Sequence, residues 1–397
     1  MQIKMSDLIP VAAIAPLELV RLPDHLDGRT GSNRSTLGHA QIAAQTDIDA
    51  LKAWLARFLD TRTTFDSYRK ESERLLLWAT LELGKPLSSL THEDLLVYQR
   101  FLADPQPAER WVMKAGRKWS RFDPDWRPFA GPLAPTSQRQ SIIILNTMFS
   151  WLVNAGYLAG NPLSLSRQRQ RKAKPRITRF LDDELWLAVK TTIETMPRET
   201  DREREHFHRV RWLFSLLYIC GLRISEVIEN SMGSFFCRRD SEGEERWWLE
   251  ITGKGEKTRL IPGTTELMVE LTRYRRENGL SPFPNSGEPT PLLLPIGGKQ
   301  RPLTRSAVHL IVKEVFNRTA IRIRDRGAEF ERLAHLLEDA SAHWMRHTAG
   351  SNMADAMDLR HVRDNLGHSS ISTTNTYLHT EDDQRHKETE AKHRLGW

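Results

Sequence analysis

The sequence predicts a mainly α-helical fold with one small antiparallel β-sheet. Apolar residues recur at spacings of three and four over most of the chain, which is the period of an amphipathic helix. Between residues 234 and 262 this period changes to alternation, which is typical of short strands. A length of 397 residues suggests two or three domains, so the helices are expected to form more than one unit.

The N-terminal part of the chain predicts an extension followed by a helical domain. Residues 1–40 are weakly patterned, and the glycine- and serine-rich sequence at 28–35 predicts a flexible loop within this extension. Helical spacing then continues across 41–165 and predicts a compact domain. Its four helices are expected to start near residues 47, 64, 91 and 136, with Asp47 and the Thr91–Asp94 capping-box pair at two of the starts.

A long segment rich in tryptophan and basic residues separates the third and fourth predicted helices. A connection as long as residues 104–135 is uncommon and is usually functional or disordered, and its aromatic residues argue against disorder. The segment is either a packed loop with a solvated basic rim or a nucleic-acid contact, because basic grooves with stacking aromatics bind nucleic acids. The basic candidates for that contact are Lys114, Arg117, Lys118 and Arg121.

Residues 166–180 predict a basic linker between two folded regions. Seven positive charges and no acid lie between positions 167 and 179, and this excess equals the net charge of the whole chain, +7 from 58 basic and 51 acidic residues. Runs of like charge are usually extended and solvated, and a run between two domains can lie along a phosphate backbone. The candidate DNA-binding residues here are Arg167, Arg169, Arg171, Lys172, Lys174 and Arg176.

The second helical region, residues 181–380, contains the predicted sheet. Acidic residues at 182–184 begin a helix, and a longer helix runs from about residue 204 to the glycine at 221. Helical spacing resumes at residue 304, and the charged tail 381–397 is expected to form a solvated terminal helix. Strands joined by polar turns are expected at residues 234–239, 246–252 and 258–262.

Composition excludes several classes of protein. Hydrophobic residues make up 39% and charged residues 27% of the chain, which is ordinary for a soluble globular protein and excludes fibrous or wholly disordered chains. Two cysteines without a CxxC spacing exclude a disulfide-stapled scaffold and a cysteine metal site. No apolar run reaches the ~18–20 residues of a membrane span. We therefore expect a cytoplasmic protein that does not contact a membrane.

Several polar residues are candidates for a chemical role, but each of them also has an ordinary structural explanation. Arg223 directly follows an apolar helix and can pair with Glu226 three residues later. Lys254 lies between two glycines in a predicted turn, where an exposed lysine is common. The remaining positions can each be an ordinary helix or core residue: His343 and Arg346 on one helix face, His368 after a helix stop, and Tyr377.

Taken together and in order, these stretches resemble one family. The sequence is similar to the tyrosine site-specific recombinases, the phage integrase family, and the similarity covers most of residues 46–380. Five separated motifs occur in the family's order and with family-like spacing: GLRISE at 221–226, TGKGEKTR at 252–259, HWMRH at 343–347, LGH at 366–368, and Tyr377.

The resemblance implies a two-domain DNA clamp and strand transfer through a 3′-phosphotyrosyl intermediate, without metal, cofactor or ATP. Residues 41–165 would be the core-binding domain and 181–380 the catalytic domain, and the tail 381–397 would dock on a neighbouring subunit. By resemblance Tyr377 is the nucleophile, Lys254 the general acid, and Arg223 and Arg346 bind the scissile phosphate. His343 would assist proton transfer at the nucleophile, His368 would hydrogen-bond the scissile phosphate, and Glu226 would orient the neighbouring arginine and histidine.

The implied partners are double-stranded DNA recombination sites, a homo-tetramer assembled on paired sites, and accessory factors that bend DNA or set direction. The implied location is the prokaryotic cytoplasm, on the nucleoid. Other interpretations remain open: a catalytically silent DNA-binding protein on the same scaffold, or a type IB topoisomerase that shares the tyrosine chemistry. A zinc hydrolase ranks last, because Trp344 stands where a His343–His347 zinc helix needs glutamate.

Overall fold

The chain divides into two compact units, Met1–Gln170 and Arg171–Trp397. The structure is a computed structural model that describes residues 14–36, 40–114, 119–165, 179–253 and 255–368. Within those ranges no helix is both long and apolar enough to cross a membrane. The helices and the three-stranded sheet of the described residues confirm the predicted fold class.

The first unit is built from helices whose starts are fixed by side-chain caps. At both Thr46 and Thr91 a complete capping box is present, in which the threonine hydroxyl accepts from the N–H three residues later and an aspartate there accepts in return. The helices are α1 (Asp47–Ala56), α2 (Arg62–Leu81), α3 (His92–Ala103), the one-turn α4 (Ala108–Trp111) and α5 (Pro135–Asn154).

The prediction of Asp47 as an N-cap is wrong by one residue, and the difference has a structural reason. Thr46 is the cap, while the Asp47 carboxylate is buried and accepts hydrogen bonds from the Tyr157 hydroxyl at 2.8 Å and the Ser88 N–H at 3.0 Å. A buried carboxylate needs such partners. Asp47 therefore joins α1 to the segments before α3 and after α5 instead of capping its own helix.

The N-terminal extension packs onto the first unit where the structure describes it. Leu17 and Val20 are buried in the same core as Trp54 and Trp78. The Arg34 guanidinium lies 3.9 Å from the centre of the Tyr157 ring and donates to the carbonyl of Gly28 at 2.9 Å. Residues 28–35 form a series of turns, as predicted for a loop, and the N–H groups of Asn33 and Ser35 donate to the carbonyls of Ser88 and Tyr157. Their flexibility stays a prediction.

The tryptophan-rich segment contributes to the core as well as to the surface. Trp111 and Phe129 are fully buried, and their rings pack edge-on to each other and to Phe101. The Arg121 guanidinium is engaged by the carboxylates of Glu18 and Glu73. A phosphate contact at Arg121 stays a prediction, and it would have to compete with these two acids. Lys114 is exposed, while Arg117 and Lys118 lie outside the described residues.

The second unit packs helices against its sheet. α6 (Asp183–Glu194) is capped by Asp182, as the acidic run predicts, and α7 (Asp201–Tyr218) begins at a Thr200–Glu203 capping box. The remaining elements are α8 (Ile224–Glu229), β1 (Phe235–Arg239), β2 (Glu245–Thr252), β3 (Thr258–Gly263), α9 (Thr265–Glu277), α10 (Arg305–Arg324), α11 (Glu331–Asp339), α12 (Ala342–Ala356) and α13 (Leu359–Leu366).

The sheet is an antiparallel meander in the order β1-β2-β3, close to the predicted strands. Leu249 and Ile251 of β2 and Ile261 of β3 are buried against the helices. β2 pairs with β3 up to Thr252 and Thr258, and the turn between them is closed by the Gly253 N–H donating to the Lys257 carbonyl at 2.9 Å. The Gly253–Lys257 hydrogen bond therefore lies directly after a strand that is buried on one face.

Candidate functional site

The site in the second unit begins at a sharp turn between α7 and α8. Gly221 has a φ of +57°, and a side-chain carbon there would lie 2.6 Å from Leu366, so glycine is required. Arg223 follows as the N-cap of α8, with its N–H donating to Glu226 Oε2 and its Nη1 to Oε1, both at 2.8 Å. The Arg223 side chain remains 41% exposed, whereas Glu226 is 1% exposed. The arginine is thus oriented by a buried carboxylate while its outer face stays accessible.

Arg259 of β3 is the second partner of that carboxylate. Its Nη1 and Nη2 donate to Glu226 Oε1 and Oε2 at 2.8 Å each, and its Nε donates to the Asn365 carbonyl at 2.9 Å. Burial alone would raise the pKa of Glu226, but the hydrogen bond and the charge of Arg259 lower it to about 2. Glu226 is therefore ionised near neutral pH and lies between two guanidinium groups.

Sequence reasoning assigned no role to Arg259, although a signal was available. Residues two apart in a strand share a face, so Arg259 lies on the same face as Ile261, which is buried. Arginine is almost never on a buried face without a charged partner. The alternation in β3 therefore predicts a carboxylate near Arg259, although it does not say which one.

Arg346 of α12 connects the turn before α8 to the end of α13. Its side chain is 1% exposed, and its two terminal nitrogens donate to the carbonyl of Gly221, in the turn between α7 and α8, and to that of Leu366, the last residue of α13. Carbonyl oxygens at helix ends lack intrahelical donors, so a buried guanidinium satisfies them. Arg346 consequently fixes the segment before Arg223 relative to the segment that carries His368.

Three histidines lie around these arginines. The rings of His343 and His347, one turn apart on α12, meet edge-on with centroids 4.3 Å apart. Burial lowers the pKa of His343, and the charges of Arg346 and Arg223 lower it further. Burial also lowers the pKa of His347 and of His368 to about 4, with added repulsion from Arg346 in both cases. All three imidazoles are thus neutral near pH 7, and a neutral imidazole has one N–H donor and one acceptor nitrogen.

The structure brings together five of the seven predicted catalytic positions. Arg223, Glu226, His343, Arg346 and His368 are close enough to affect one another's charge states or to share hydrogen bonds. Lys254 and Tyr377 lie outside the described residues, as do the basic linker residues 167–176. Across the described ranges no three His, Cys, Asp or Glu side chains are grouped to hold a metal ion.

The arrangement can bind a tetrahedral anion and stabilise charge that develops on it. Planar guanidinium groups offer paired donors to phosphate oxygens. Preorganised donors of this kind stabilise a transition state because they need no reorganisation when negative charge builds up. Neutral histidines beside them can give or take a proton. The site is therefore suited to phosphoryl transfer.

Comparison with known proteins supports this chemistry. Residues 188–384 match the model of the phage integrase family. The chain is 24% identical over 310 residues to tyrosine recombinase XerD of Rickettsia conorii, covering 77% of this chain and 91% of the relative. It is 27% identical over 335 residues to tyrosine recombinase XerC of Agrobacterium fabrum, covering 83% of this chain and 89% of the relative.

Solved structures show the same fold. The XerH site-specific recombinase bound to a palindromic difH substrate, in a post-cleavage complex, superposes with a TM-score of 0.57 at 16% identity, covering 90% of this chain and 91% of that chain. The Tn1549 transposon integrase in complex with transposon right end DNA superposes with a TM-score of 0.54 at 18% identity, covering 87% of this chain and 98% of that chain.

Proposed function

Because this chain belongs to the phage integrase family, the tyrosine site-specific recombinases, we propose that it cleaves and rejoins double-stranded DNA at recombination sites through a 3′-phosphotyrosyl intermediate. The proposal covers integration, excision and the movement of a genetic element. The observation that carries it is the pairing of Arg223 and Arg259 on one buried carboxylate, with Arg346 and three neutral histidines around it.

The proposed reaction is a transesterification at one phosphodiester. The Tyr377 oxygen attacks the phosphorus, the bond to the 5′-oxygen breaks, and a 5′-hydroxyl strand end leaves. Arg223 and Arg346 bind the non-bridging oxygens, whose negative charge grows in the transition state. Arg346 would use the N–H groups that it does not donate to the carbonyls of Gly221 and Leu366. A phenol, with a pKa of ~10, is a better leaving group than an alkoxide, so a DNA hydroxyl can reverse the step and rejoin strands without ATP.

Two protons move in this step, and each has a proposed carrier. Lys254 donates a proton to the departing 5′-oxygen, and His343 assists removal of the phenolic proton of Tyr377. His368 hydrogen-bonds the scissile phosphate. Glu226 orients Arg223, in agreement with its position between Arg223 and Arg259. No metal or nucleotide takes part in the scheme.

Binding to DNA is proposed to involve both units and the chain between them. The first unit would act as a core-binding domain and the second as the catalytic domain, with residues 166–180 following the phosphate backbone. We propose that subunits assemble as a tetramer on paired sites in the bacterial cytoplasm, with accessory DNA-bending or directionality factors. The relatives are named as recombinases along most of this chain, which does not favour a topoisomerase or a silent DNA-binding protein.

The decisive experiment uses Tyr377→Phe on a nicked recombination substrate that traps the cleaved state. The wild type is expected to form a covalent protein–DNA adduct, and the variant is expected to bind the same DNA without forming one. Tyr68→Phe is the matched control, because Tyr68 packs on Trp54 in the core of the first unit. An adduct formed by Tyr377→Phe would show that another residue is the nucleophile.

A further inference from the structure

We propose that Asn230 is a positioning residue for Lys254, an inference that rests on the general-acid role proposed above for Lys254. Asn230 directly follows α8, and its side-chain amide contacts the last residue of β2, two positions before Lys254. Its carboxamide would set where the β2–β3 turn lies relative to Arg223, and so where the proton for the leaving oxygen is delivered.

The Asn230 side chain binds both the N–H and the carbonyl of Thr252. Asn230 Oδ1 accepts from the Thr252 N–H at 3.0 Å, and Asn230 Nδ2 donates to the Thr252 carbonyl at 3.1 Å. Nδ2 also donates to the Glu226 carbonyl at 2.9 Å. An amide that meets both the N–H and the C=O of one residue fixes the position and the direction of that backbone.

Asn230 takes the place of a missing strand neighbour. β1 pairs with β2 only from Arg239 opposite Glu245 to Phe235 opposite Leu249. The same edge of β2 therefore continues for three residues beyond its last β1 partner before it ends at Thr252. Unpaired edge groups of a strand need another partner, and the Asn230 carboxamide supplies it at the point where the chain enters the turn.

The Asn230 amide also connects the base of the β2–β3 turn to Glu226, which binds Arg223. Glu226, whose carbonyl accepts from Nδ2, binds Arg223 through its carboxylate. A side-chain carbon added at Gly253 would lie 3.2 Å from Glu226 Oε1, so the start of the turn already lies close to this carboxylate. A general acid acts only within hydrogen-bond reach of its target. Asn230 thus couples the base of the turn to the phosphate-binding arginine.

The test separates proton delivery from phosphate binding by changing the leaving atom. In a substrate with a 5′-bridging sulfur at the scissile position, the leaving thiolate has a pKa near 8.5, like a cysteine, and does not need a proton from the enzyme. We expect Asn230→Ala to slow single-turnover cleavage of ordinary DNA by roughly ten- to a hundredfold, since small misplacements of a catalytic group cost this much. On the sulfur substrate its rate should return to that of the wild type.

Asn278→Ala is the matched control. Asn278 follows the end of α9 and donates from Nδ2 to the carbonyl four residues earlier, at 2.8 Å, as Asn230 does to Glu226, but it contacts no motif residue. It is expected to cleave both substrates at the wild-type rate. Slow cleavage of both substrates by Asn230→Ala, or normal cleavage of ordinary DNA, would overturn the inference.

Lys254→Ala separates a failure of this inference from a failure of the general-acid role. If Lys254→Ala is restored by sulfur and Asn230→Ala is not, Lys254 is the acid and Asn230 does not position it. If sulfur fails to restore Lys254→Ala, the general-acid role of Lys254 is wrong, and the inference about Asn230 is overturned with it.

Discussion

The guanidinium of Arg259 contacts both carboxylate oxygens of Glu226, and the two residues are 33 positions apart in sequence. The contact ties β3 to the start of α8. With the further bond from Arg259 to the Asn365 carbonyl, it also ties both to the end of α13. The motifs at 221–226 and 252–259 and the residue just before the motif at 366–368 are therefore connected by one side chain.

Breaking this pair is expected to be costly. Glu226→Ala leaves Arg259, which is only 10% exposed, without its charge partner. Removing one member of a buried ion pair typically costs about 3–5 kcal/mol. We expect a loss of that size in the free energy of unfolding, measured by urea denaturation. The double variant Glu226→Leu, Arg259→Met should be less destabilised than Glu226→Leu alone or Arg259→Met alone.

An exposed ion pair with the same nitrogen–oxygen distance is the control for that measurement. Arg246 Nε lies 2.8 Å from Asp240, the same distance as in the Arg259–Glu226 pair, but the Arg246 side chain is 57% exposed. Arg246→Ala should cost far less stability than Glu226→Ala, because solvent screens exposed pairs. Equal losses of stability in Glu226→Ala and Arg246→Ala would contradict the argument that burial makes the Arg259–Glu226 pair costly to break.

The glycine before His368 offers a second test of the same packing. Gly367 has a φ of +64°, and a side-chain carbon there would lie 2.8 Å from Arg259 Cδ. Gly367→Ala should therefore displace Arg259, and cleavage of DNA should fall together with stability. Gly279→Ala has the same backbone cost at φ +69°, but no described atom lies within 4 Å of the added carbon. The control should lose about 1–2 kcal/mol of stability and keep its cleavage rate.

The sequence predicted local features of this site better than its long-range contacts. Capping boxes, strand alternation and the glycine turn at 221 depend on neighbouring residues, and the structure agrees with them at Thr91 and in β2. The partners of Glu226 and Arg121 depend on which segments meet in space. Spacing along the chain does not specify such meetings, so Arg259, Asn230 and the acids around Arg121 required the three-dimensional structure.

Stability should depend on pH through two half-buried histidines, His347 and His368. The folded-state pKa of His347 and of His368 is about 4, below the ordinary value of 6.5. Between pH 6.5 and 4 the unfolded chain therefore binds more protons than the folded chain, and the free energy of unfolding should fall as the pH is lowered through this window. His347→Asn should flatten the slope, measured by urea denaturation at a series of pH values.

The exposed His361, on α13, provides the control for that substitution. His361→Asn makes the same substitution at an exposed position and shows what the loss of a surface imidazole alone does to the slope. Identical slopes for His347→Asn and the wild type would mean that His347 does not carry the linkage. Glu226 adds a separate contribution at lower pH, lost as the pH falls from 4.5 to about 2.

The basic linker should contribute to DNA affinity without contributing to sequence preference. Replacing Arg167, Arg169 and Arg171 together by glutamine removes charges that are proposed to lie along the phosphate backbone. The logarithm of the binding constant falls linearly with the logarithm of salt concentration, and the slope should become shallower by about 0.9 for each phosphate that the variant no longer neutralises. Binding to specific and unrelated DNA should weaken alike.

The matched control for the linker keeps its positive charge and replaces guanidinium groups by ammonium groups. Replacing the same three arginines by lysine retains every positive charge, so counterion release and the salt slope should stay as in the wild type. If the glutamine triple variant keeps the wild-type slope, the linker does not lie on the phosphates. If the slope of the lysine variant becomes as shallow as that of the glutamine variant, paired guanidinium contacts and not charge alone fix the linker on DNA.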